Sequence, residues 1–135
     1  MTSATFAASD PEYAQRVRSS FSRQGAMKLI QAELTHLAPG FCAIAVTPRP
    51  EIMQQHGYVH AGIVSTLVDT AGGFAGYTLF PADSSVLTVE FKVNLLAPAT
   101  GDRIVAEGHV VRQGRTLVAL MQQTLMVMHG KPDLM

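Results

Sequence analysis

The chain has 135 residues, enough for one domain around a single core. Ten Lys and Arg balance ten Asp and Glu, so nothing in the charge points to nucleic acid or to a charged interaction tail. The single cysteine, Cys42, excludes a disulfide framework within the chain and argues against a cysteine-based zinc site. The contrast of 47% hydrophobic with 15% charged residues suggests apolar surface covered by a second subunit.

The first nine residues are small and polar and read as a mobile start, leaving residues 10–135 as one domain. They lack the basic start and apolar stretch of a signal peptide. No window approaches an uninterrupted membrane span, so a soluble cytoplasmic protein is the expectation. Asp10-Pro11-Glu12 combines an N-cap acid, a proline for the first helical position and a second acid near the positive dipole end. A helix is predicted from there to about residue 22, with Gly25 as a stop or kink and a short segment over 27–30. Residues 32–37 and 41–47 read as a hairpin about Pro39-Gly40, ended by Pro48 and Pro50.

A long helix is predicted over 59–80. Its apolar positions (Ile63, Leu67 and Phe74, with Val64, Val68, Ala71, Ala75 and Leu79 beside them) nearly encircle it, so most of its surface is expected to be buried. Gly72, Gly73 and Gly76 each weaken an isolated helix by about 1 kcal/mol relative to Ala, which makes sense if another backbone approaches there. Pro81 ends the element. Three strands in meander follow, over 86–96, 103–112 and 115–128. The first alternates Leu87, Val89, Phe91, Val93 and Leu95 with Thr88, Glu90, Lys92 and Asn94, and Gln113-Gly114 makes the last turn. One buried helix and a largely antiparallel sheet that must wrap around it define an α+β fold.

Asp69 is the only charged residue between Ile52 and Ala82. An ionised carboxylate in such surroundings is costly unless paired, hydrogen-bonded or neutralised, which makes Asp69 a functional candidate. The start of the long helix offers unpaired N–H groups at Ala61 and Gly62 and a positive dipole end. Eight residues separate Ala61 from Asp69, about 12 Å along the axis, too far for both to act on one carbon. A site using both therefore takes the helix start of one subunit and Asp69 of another.

The segment Gln54-Gln55-His56-Gly57-Tyr58-Val59-His60-Ala61-Gly62, then Asp69 within LVDTAGG, resembles the hotdog-fold acyl-CoA thioesterases. Within that superfamily it is most similar to the phenylacetate-pathway, PaaI-type clade. The stretch LTVEFKVNLLAPATGDRIVAEGHVVRQGR is similar to the same family's strand and turn pattern, and the likeness spans roughly residues 33–128. The resemblance implies a hotdog fold, a homodimer or dimer of dimers, and hydrolysis of an acyl-CoA thioester. It needs no cofactor, because coenzyme A belongs to the substrate. Asp69 would act as general base or as nucleophile forming a mixed anhydride, and Ala61 and Gly62 as oxyanion donors. Thr88 matches a hydroxyl that orients water, Gln54 an amide that polarises the carbonyl or holds Asp69, and His60 an organiser of its loop. Two residues depart from the common pattern: Ala61 stands where many members have Gly, and Gln54 where many have Asn.

Arg112, Gly114 and Arg115 form a cationic hairpin corner suited to the phosphates of coenzyme A, ahead of Arg103 and Lys92. His36, His109 and His129 have no metal-ligand spacing. Tyr58, Phe74, Tyr77 and Phe80 fit either an acyl pocket or the core. A hotdog hydratase and a non-catalytic acyl-CoA-binding protein are the competing readings.

Overall fold

The computed structural model describes residues 5–113, 120–121 and 127–129. Its elements are α1 (Tyr13–Arg23), α2 (Gly25–Leu29), β1 (Glu33–Ala38), β2 (Phe41–Val46), α3 (Ala61–Tyr77), β3 (Arg103–Arg112), β4 (Leu120–Met121) and β5 (Val127–His129), with a single 3₁₀ turn at Pro50–Ile52. None of its helices among the described residues is long and apolar enough to cross a membrane.

The first helix starts later than its sequence suggests. Asp10 folds inward, 7% exposed, and accepts the Glu12 N–H at 2.9 Å, so Pro11 and Glu12 form a turn and α1 begins at Tyr13. The reason lies one turn on, where Arg16 Nε pairs with Asp10 at 3.0 Å. The rest of that guanidinium donates to the carbonyls of Pro81 (2.6 Å), Phe80 (2.8 Å) and Tyr77 (3.3 Å), and it lies 4.3 Å from the centre of the Tyr77 ring. One cation thus satisfies carbonyls at and just beyond the end of α3, where the helix dipole is negative.

The hairpin forms as the sequence implies. β1 and β2 pair antiparallel, with Ala38 opposite Phe41, and Gly40 supplies the positive φ of 77° at the turn. Gly40 is fixed from two sides: its N–H donates to Thr78 Oγ1 at 2.8 Å and its carbonyl accepts from Val110 at 2.9 Å. β2 pairs with β3 from Phe41–His109 to Val46–Ile104. β3 in turn carries β4 at its Val110–Arg112 end and β5 at its Arg103–Val105 end. The described parts of the last predicted strand therefore lie as two pieces along β3.

The helix α3 lies on this sheet. Leu67, Ala71, Phe74 and Ala75 pack with Cys42, Ile44 and Val46 of β2 and with Ile104, Ala106 and Val110 of β3. A side chain at Gly108 would place its Cβ 2.3 Å from the Ala71 carbonyl oxygen and 2.7 Å from the Gly72 nitrogen. The close backbone approach expected at the helix glycines is seen at Gly72, where the facing strand residue is itself a glycine, whereas Gly73 faces open space. The burial is also less complete than the apolar stripes imply. Ala61 and Gly62 are exposed, and Ser65, Thr66, Asp69 and Gly73 are only half-buried, so one side of α3 is open in the single protomer.

The strand predicted over 86–96 is described without the neighbour that it was assigned. Among the described residues it joins no ladder, and both of its faces are open: Leu87 is 89% and Val89 96% exposed. Alternation records two faces but not a backbone partner. The neighbour that the meander assigns, residues 115–128, lies mostly outside the described residues.

Candidate active site

Asp69 sits on the open side of α3, half-buried, two turns beyond the helix start. Its Oδ1 accepts a hydrogen bond from Thr88 Oγ1 at 2.8 Å, and Oδ2 has no partner among the described residues. No cation among them pairs with the carboxylate. An ionised acid of this kind has one oxygen oriented and the other available to a water molecule or a carbonyl carbon. Thr88 reaches it from the exposed stretch over 86–96.

At the other end of the open side, His60 is the N-cap of α3, and its Nδ1 accepts the Gly62 N–H at 2.9 Å. This contact assigns the ring proton to Nε2. It also takes up one of the two N–H groups that the sequence offers as oxyanion donors. Gly62 is therefore engaged as the helix is capped here, whereas the Ala61 N–H has no acceptor among the described residues. A Cβ at Gly62 would sit 3.1 Å from His60 Nδ1, so the glycine is what lets the ring approach.

The loop before the helix closes on itself. Gln54 N–H donates to the Tyr58 carbonyl at 2.9 Å, Gly57 N–H to the Gln54 carbonyl at 3.0 Å, and the Gln54 Oε1 accepts from His56 N–H. Gln54 thus shapes this loop and makes no contact with Asp69; its amide nitrogen has no partner among the described residues. The loop is tied to the segment after the extended stretch by Val59 N–H to the Ala99 carbonyl, 2.9 Å. Between them lies a cleft of about 580 Å³, bounded by Gln54, Tyr58, His60 and Ala61 on one side and by residues 95–99 on the other. The Leu95-Leu96-Ala97-Pro98 wall was missed in the sequence, where it looked like the end of a strand and a turn.

The remaining candidates separate. Arg112 is exposed at the end of β3, while Gly114 and Arg115 lie outside the described residues, so the cationic corner is represented by Arg112 alone. Arg103 faces Glu33 at 3.9 Å. Phe74 and Tyr77 are core residues, stacked near Phe21 and Phe80, and of the four aromatic candidates only Tyr58 lines the cleft. His36 and His109 flank Phe41 on the sheet, and no cluster of three metal-ligating side chains occurs among the described residues. Cys42 is fully buried in β2; burial pushes its thiol up from 9.0 to about 12, against a smaller opposing effect of Arg18, so it is a core residue and not a nucleophile.

The model of the Thioesterase superfamily matches residues 56–123, just over half of the chain, from the loop through α3 into the last strands. The chain belongs to the thioesterase superfamily. A solved thioesterase family protein from Silicibacter pomeroyi is 47% identical over 76% of each chain, with a TM-score of 0.75. A variant of the phenylacetic acid degradation protein PaaI from Thermus thermophilus is 25% identical, covering 80% of this chain and 90% of that one, with a TM-score of 0.67. The antiparallel sheet packed on one long helix is thus the hotdog thioesterase fold. A Saccharolobus solfataricus protein named as a proposed esterase is 29% identical over 69% of this chain, and the match spans 66% of its own length, just under two thirds. A Halobacterium salinarum relative with the same kind of name is 44% identical over 45% of this chain and 41% of its own.

Proposed function

We propose that this thioesterase-superfamily chain hydrolyses acyl-CoA thioesters as a homodimer or dimer of dimers, in the manner of the PaaI-type clade. The observation that carries the reading is Asp69, held by Thr88 at 2.8 Å with its second oxygen free, on the same open helix side as the free Ala61 N–H. The two are about 12 Å apart along the axis. A partner helix running the opposite way brings the Ala61 of each subunit to the Asp69 of the other.

As general base, Asp69 Oδ2 takes a proton from water while the water oxygen bonds to the thioester carbon. The oxyanion that forms is held by the Ala61 N–H at the positive end of α3. Collapse breaks the carbon–sulfur bond, and the proton passes from Asp69 to the leaving thiolate. As nucleophile, Asp69 instead bonds to the carbonyl carbon and expels the thiolate. Water then cleaves the resulting anhydride at either carbonyl, and label found in Asp69 after a single turnover in ¹⁸O-water marks this route.

Free-thiol release from a panel of acyl-CoA esters tests the activity. Asp69→Asn is expected to lower kcat by about 10²- to 10⁴-fold with the fold intact by circular dichroism. Wild-type turnover by Asp69→Asn overturns the assignment. Binding of acyl-CoA without thiol release from any ester supports a carrier, and consumption of an enoyl ester without thiol release supports a hydratase.

A further inference from the structure

We infer that the cleft at the start of α3 takes the uncharged acyl or aryl chain of the substrate and rejects chains ending in a carboxylate. The inference rests on the acyl-CoA reading above. The cleft holds about 580 Å³, and among the described residues no Asp, Glu, Lys or Arg lines it. Its walls are Tyr58, Val59 and Val64 facing Leu95, Leu96 and Pro98. Leu95 is 57% and Leu96 77% exposed, so the lip presents apolar surface that a chain lying in the cleft covers.

The start of α3 is the one feature here that attracts negative charge, and its donors are already assigned. The Gly62 N–H is held by His60 Nδ1, and the free Ala61 N–H faces the reacting carbonyl in the proposed mechanism. A carboxylate entering the cleft gives up its hydration and meets no cation among the described residues in return. The side chains that remain polar, Gln54, Gln55, Tyr58 and His60, all lie on the loop side, so the wall at 95–98 is left to the apolar chain.

Calorimetry with two non-hydrolysable thioethers tests this without depending on turnover: S-hexyl-coenzyme A and its ω-carboxyl counterpart of equal length. The expected result is binding of the hexyl compound at least about tenfold more tightly. Leu96→Lys, at an exposed position that tolerates the charge, is expected to shrink or reverse that ratio. Equal affinities, tighter binding of the carboxylated compound, binding of neither, or a ratio unchanged by Leu96→Lys would each overturn the inference. Should the expected ranking appear while hexanoyl-coenzyme A releases no thiol, the hydrolytic reading fails and the cleft assignment stands.

Discussion

Ala61 occupies the first position of α3, where proline is accommodated because its fixed φ suits the first helical turn. Ala61→Pro therefore deletes the proposed oxyanion donor while leaving the helix able to form. Loss of one such donor costs about 10²- to 10³-fold in kcat, and Asp69→Ala costs at least as much through the base. Each variant alone is then close to inactive. The two groups lie about 12 Å apart on one helix, so a working pair must come from different subunits. When the two variants are co-expressed and pair at random, half of the dimers are mixed. Each mixed dimer holds one intact site of two, so the preparation recovers roughly a quarter of the wild-type thiol-release rate. Differential affinity tags that isolate the mixed dimer raise this to about half. Mixed dimers as inactive as either parent refute the shared site, because a site within one subunit leaves a defect in every copy.

Three further outcomes follow from the packing. Arg16→Ala leaves the buried Asp10 unpaired and strips three carbonyls at and beyond the end of α3. A loss of about 3–5 kcal/mol is expected, read as a fall in melting temperature of about 10 °C or more, and Arg16→Lys recovers little because one ammonium cannot span those acceptors. Gly108→Ala drives a Cβ into the α3 backbone at 2.3 Å and is expected to cost about 3 kcal/mol in urea unfolding, whereas Gly73→Ala, facing open space, is neutral or stabilising. The Cys42 thiol keeps its proton in the folded chain up to about pH 12 but loses it in the unfolded chain near 9.0. Cys42 therefore makes stability fall as pH rises through that window, by about 1.4 kcal/mol per unit, and Cys42→Ala removes that share of the slope. A slope as steep in Cys42→Ala as in the parent contradicts the assignment.

What the sequence revealed depended on how local the signal was. The hairpin about Pro39-Gly40 and the strand β3 follow from turn chemistry and period-two alternation, which are carried by neighbouring residues. Asp69 stood out because its surroundings are apolar over thirty residues, and Thr88 came with it through the family likeness. The Arg16 contacts could not be read, since their partners lie 61 to 65 residues away and any surface helix carries arginines of this kind. Gly108 carries no local signal of its role; only the position of Ala71 gives it a reason. The stretch 86–96 is the converse case, a strong pattern whose assigned partner lies mostly outside the described residues. At the start of α3 the sequence presented two equivalent N–H groups, and the ring of His60 makes them unequal.

The two termini of α3 are treated in opposite ways. Its carboxyl end is saturated: a guanidinium fixed by Asp10 answers the carbonyls, and variation there is paid for in stability. Its amino end has no acidic residue in the first turn, and its cap is an imidazole in the neutral tautomer. The helix field is thus quenched at the carboxyl end and left unscreened at the amino end, where the proposed mechanism develops an anion. The polarity of one helix separates an end committed to stability from an end left open to a ligand.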